Sequence, residues 1–168
     1  ADVVHIIGLT AYSLLLLLFL WVVLIPKANL GASWWLTATT CVLLGRITLY
    51  LLVELLPPGF APALYAVVLT IEKAALLIGL SLFFNDNWQT YKKNILWLTA
   101  LFCSAYLFCY AMQASSINSI KLAIFQSGCL ILISLLLWRN KNQVHHCWFK
   151  VLSITSVLFT VHWSTFPI

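Results

Sequence analysis

Residues 61–84 read APALYAVVLTIEKAALLIGLSLFF, an apolar run long enough to cross a bilayer, with Glu72 and Lys73 side by side in its middle. About 20 apolar residues in a helix span the hydrocarbon. A charge at that depth costs about 2.5–3.5 kcal/mol on insertion scales. The stretch therefore predicts a transmembrane helix and makes its two charges the first candidates for function.

The rest of the chain has the same character. Of 168 residues, 63% are hydrophobic and 8% charged, against about 25% charged in ordinary soluble domains. The mean hydropathy of +1.02 agrees. An integral membrane protein follows, with the lipid bilayer as its first partner. The net charge of +5 comes from basic residues lying between apolar runs rather than in one patch. Topology and anionic headgroups explain them, and nucleic acid does not. The five cysteines include no C-x-x-C pair, so neither a thiol redox motif nor a zinc knuckle is indicated.

Six runs have the length of a span: 3–25, 34–56, 61–84, 94–112, 118–138 and 148–166. Turn-forming segments separate them, among them PKANLGAS (26–33), PPGFAP (57–62) and NDNWQTYKKN (85–94). The expected fold is an all-α integral membrane bundle of six transmembrane helices with short loops, one domain over residues 1–168. Lys27, Lys92, Lys93, Arg139 and Lys141 fall in the first, third and fifth connections, while the second has no basic residue. The positive-inside rule puts the odd connections in the cytoplasm and both termini outside. The location this pattern implies is a membrane, multi-pass. The chain starts at Ala1 rather than Met, which reads as a processed or trimmed start. A further span leading to a cytoplasmic domain is expected beyond Ile168.

The intramembrane charges set the candidate site. Arg46 lies ten residues before Leu56, and Glu72 lies ten residues after Pro62. Both are then about 15 Å from the intervening turn, at matching depth, so an Arg46–Glu72 ion pair is expected. Lys73 stands about 100° around the helix from Glu72 and is expected to need another acceptor, a polar cavity or an anion. Glu54 is too shallow to meet it directly. Arg46, Glu72, Lys73 and Glu54 are the candidate ligand- or signal-sensing residues.

His5 opens the first span and His162 closes the sixth, both at the outer side. Facing histidines at equal depth are what haem b ligation in a helical bundle needs, so these two are possible haem ligands; interfacial histidines capped by water are the alternative. His145 and His146 lie in a connection. No Ser-His-Asp set, carboxylate pair, metal-binding H-E-x-x-H or phosphate-binding glycine loop is present. Catalytic and metal-ligating residues are therefore not expected, and the segment does not read as an enzyme, although an output domain in a longer chain could be one.

Three stretches resemble the N-terminal multi-helix membrane sensory regions of bacterial diguanylate cyclases and sensor histidine kinases. HIIGLTAYSLLLLLF (5–19) is similar to their His-x-x-Gly opening, and VELLPPGFAPALYAVVLTIEKAALLIGLSLFF (53–84) to their second hairpin. VHWSTFPI (161–168) looks like the His-x-x-Asp-Tyr-Pro-Phe end of their sixth helix, with Thr165 and Phe166 in place of Asp-Tyr. The resemblance implies a sensory domain in a bacterial inner (plasma) membrane, working as a homodimer, that passes a lipophilic, periplasmic or redox signal to a cytoplasmic output domain in the same chain or a partner. Two alternatives stand beside it: a haem b electron carrier or haem-based sensor, and a small anion transporter or channel subunit using Lys73.

Overall fold

The computed structural model of the chain describes residues 2–25, 30–52, 54–84, 89–112 and 116–143, together with residues 150, 151, 153–155, 157, 158 and 161. The described residues form helices and turns only. Five helices follow one another: α1 (Asp2–Leu24), α2 (Leu30–Leu52), α3 (Phe60–Phe83), α4 (Gln89–Ala111) and α5 (Ser116–Arg139), then a short 3-10 turn at Lys141–Gln143. All five are long and apolar enough to cross a membrane. The sixth expected span, 148–166, lies mostly outside the described residues; those described between 150 and 161 are helical.

Helices are the form that lets such a chain satisfy its backbone without water. Side-chain hydroxyls obey the same constraint by bonding the carbonyl one turn back. Thr39 donates to the Trp35 carbonyl at 2.8 Å, Thr70 to Ala66 at 2.7 Å and Thr99 to Ile95 at 2.7 Å.

α3 is the hub. It packs against α2, α4 and α5, and α1 packs on α2. Most of its apolar window is buried, 61%, against none of that of α1. Its buried face is built from small residues, including Ala63, Ala66, Ala74, Ala75 and Gly79, which let neighbouring backbones approach closely where lipid supplies no hydrophobic drive. Aromatic contacts complete the bundle. Trp35 stands between Phe19 of α1 and Phe83 of α3, with ring centroids 5.8 and 5.6 Å away. Phe102 of α4 meets Phe125 of α5 at 4.9 Å.

The bounds of two expected spans are corrected. α4 begins at Gln89 rather than at 94, so Lys92 and Lys93 lie near the start of that helix and not in a connection. α2 begins at Leu30 and ends at Leu52, a full turn earlier at each end than the 34–56 reading. Pro57 and Pro58 stop the helix from running on past Leu56, since proline has no amide to donate and its ring crowds the preceding turn. The chain instead makes a tight turn, with the Leu55 and Leu56 amides donating to the Leu52 carbonyl at 2.9 and 3.0 Å. Gly59, at φ 78°, takes the left-handed conformation that precedes α3.

Candidate functional site

The earlier end of α2 changes which residues face each other. Arg46 lies six residues before Leu52, and Glu72 lies twelve after Phe60. At 1.5 Å per residue they sit about 9 and 18 Å from the turn. Arg46 is therefore level with Tyr65, and its Nη2 donates to the Tyr65 hydroxyl at 3.4 Å. The expected direct Arg46–Glu72 ion pair is not formed.

Tyr12 of α1 fills the gap. Its hydroxyl donates to Glu72 Oε1 at 3.2 Å, and the Arg46 guanidinium lies over its ring, 5.2 Å from the centroid. The guanidinium also faces the Tyr65 ring at 6.0 Å. α1 comes this close because of Gly8: a Cβ there would lie 2.5 Å from Arg46 Nη1 and 3.1 Å from its Cζ. One aromatic ring thus links cation to anion, attracting the guanidinium through its face and the carboxylate through its hydroxyl.

Lys73 is likewise placed differently from expectation. Its Nζ lies 2.9 Å from Glu72 Oε2, the two side chains being only 13% and 6% exposed. Neighbouring residues on a helix diverge at Cβ, but the flexible lysine stem bends back and brings the ammonium to the carboxylate. The opening pair of charges answers itself. Glu54 has no share in this cluster; it lies in the exposed turn after α2.

Further polar groups line α3. The Thr70 and Tyr106 hydroxyls are 3.4 Å apart, and Tyr106 of α4 is fully buried. Gln126 of α5 is also fully buried. Polar groups are thus buried or half-buried on each of five successive helices: Tyr12, Arg46, Glu72 and Lys73 form one connected cluster, Tyr106 meets Thr70, and Gln126 stands on α5.

These groups are only half satisfied. Arg46 Nε and both amide atoms of Gln126 are buried without a hydrogen-bond partner, while Glu72 Oε2 is answered by the Lys73 ammonium. Two cations, Arg46 and Lys73, share one carboxylate, Glu72, so the formal charge of the cluster is +1. Such an arrangement can accept a hydrogen-bonding or anionic group at Arg46, or shift toward a second set of partners. Among the described residues no group of three His, Cys, Asp or Glu could hold a metal ion. The side chain of His5 and the whole of His162, His145 and His146 lie outside the described residues, so the candidate haem ligands do too. Tyr12, Tyr65, Thr70, Tyr106 and Gln126 were not singled out by sequence. Gln126, an amide in the middle of IFQSGCLILI (124–133), carried the clearest signal. No protein-family model, curated protein or solved structure matches the chain, so its function is argued from this geometry.

Proposed function

We propose that the chain is a membrane-embedded sensory domain whose buried polar groups are the signal-responsive element. The observation that carries this reading is that Arg46 Nε on α2 and both amide atoms of Gln126 on α5 are buried without hydrogen-bond partners. A network serving only to lock helices together would be expected to close its hydrogen bonds, since each open one in a dry interior costs on the order of 1–3 kcal/mol. An open network with surplus positive charge favours two arrangements of similar energy. A signal carrying a hydrogen-bond acceptor, met by Arg46 near the turn between α2 and α3, biases one of them. Small shifts of α3 against its neighbours then carry the change across the membrane. The resemblance to sensory regions of diguanylate cyclases and histidine kinases points the same way, and with it come a bacterial inner membrane, a homodimer and a cytoplasmic output.

The test is a distance measurement. Spin labels at Leu17 of α1 and Leu135 of α5, both exposed, are placed in a cysteine-free protein in lipid nanodiscs. Two distance populations are expected, collapsing to one in Arg46→Leu and in Glu72→Gln. A single distribution, the same in all three proteins, would remove the switch.

A further inference from the structure

Away from the polar cluster, α4 and α5 diverge and leave a groove of about 380 Å³, within the range of about 300–1,000 Å³ typical of ligand sites. Leu98, Phe102, Ile124, Gly128, Cys129 and Leu132 line it, and the lining is almost wholly apolar. Gly128 leaves its floor open: a Cβ added there meets no heavy atom within 4 Å. The groove runs along α4 from Ile95 to Phe102, about 10 Å, which fits within one leaflet of a hydrocarbon core about 30 Å thick.

What lies at the groove's end identifies its occupant. Lys92 and Lys93 come just before Ile95 on α4, and Arg139 and Lys141 follow Leu132 at the end of α5 and in the turn after it. Four basic residues thus gather at one membrane face. Neither α4 nor α5 contains an Asp or Glu, so these two helices themselves bring no acidic side chain to Lys92, Lys93 and Lys141. Lys92 Nζ lies over the Trp34 ring at 5.3 Å and Lys141 Nζ over Trp138 at 5.7 Å, holding ammonium groups at the depth where aromatic residues meet headgroups. The other end of the same helices differs: it carries a single basic residue, Lys121, beside Cys109.

We infer that this groove binds one anionic phospholipid, an acyl chain lying along Gly128 and the phosphate held by the basic cluster of α4 and α5. Basic pockets between spanning helices on the cytoplasmic side are suited to such headgroups.

Native mass spectrometry of the purified protein, titrated with phosphatidylglycerol or with phosphatidylcholine of the same chains, tests the site. The wild type is expected to retain one phosphatidylglycerol in preference to phosphatidylcholine. Gly128→Leu places its side chain in the groove, its Cβ in open space, and should weaken retention of both lipids about tenfold, with the protein still folded and helical. Lys93→Gln with Lys141→Gln should weaken phosphatidylglycerol by on the order of tenfold and leave phosphatidylcholine unaffected. Equal retention of the two lipids by the wild type would overturn the inference. So would undiminished binding by Gly128→Leu, or absence of bound lipid with a change of oligomeric state in that variant, which would mean that a second copy covers the groove.

Discussion

Tyr12 does what neither charged residue can do alone, because it touches both the carboxylate of Glu72 and the guanidinium of Arg46. Tyr12→Phe keeps the ring and removes only the hydroxyl, leaving Glu72 Oε1 without that donor. The expected loss is about 1–3 kcal/mol, read as a lowered unfolding midpoint in mixed micelles. Tyr65→Phe should cost less, since its hydroxyl bond to Arg46 is long at 3.4 Å. Gln126 should behave in the opposite way. Both of its amide atoms are buried without a partner, so Gln126→Leu is expected to raise stability by about 1–3 kcal/mol in the same assay. A destabilised Gln126→Leu would show that the amide has a bound partner in the membrane. The charges of the site stood out in the sequence because a charge in mid-span is rare. The tyrosines did not, because a tyrosine in an apolar run reads equally well as packing or as an interfacial anchor.

At the level of the helices, the pairing of α2 with α3 depends on small residues. A Cβ at Gly45 would lie 2.8 Å from both methyl groups of Val68. Gly45→Leu is therefore expected to force the helices apart, at a cost of about 1–3 kcal/mol or more, and to loosen the contact between Arg46 and Tyr65 one residue away. Gly128→Leu on α5 adds the same side chain with its Cβ in open space and should not lower the midpoint; measuring the two together separates packing from loss of helix flexibility. Five of the expected spans were readable from apolar length alone. The register of the α2–α3 hairpin was not. Counting outward from PPGFAP (57–62) assumed helix up to Leu56, whereas α2 ends at Leu52. With α2 ending four residues earlier and α3 beginning two residues earlier than that count assumed, Arg46 and Glu72 are offset by about 9 Å, and Arg46 meets Tyr65 instead.

For the molecule as a whole, α3 is the element that joins α2 to the α4–α5 pair. It meets α2, α4 and α5 along its length, and it carries Thr70, Glu72 and Lys73. A displacement of α3 in response to a change at Arg46 would be felt at both ends of the bundle, so the direction in which the helices cross the membrane decides where a signal enters and leaves. If α3, α4 and α5 each cross the membrane, the α2–α3 turn and the end of α5 lie on opposite faces, and the positive-inside rule predicts that the α5 end is cytoplasmic. Leu55, 79% exposed in that turn, and Asn142, exposed after α5, mark the two faces. In a cysteine-free protein expressed in intact cells, a membrane-impermeant thiol reagent should label Leu55→Cys directly. It should label Asn142→Cys only after permeabilisation. Labelling of both from one side would refute the crossing pattern, and reversal of the two would invert the bundle, moving the Arg46 end of the polar cluster to the cytoplasm and the proposed phospholipid to the outer leaflet.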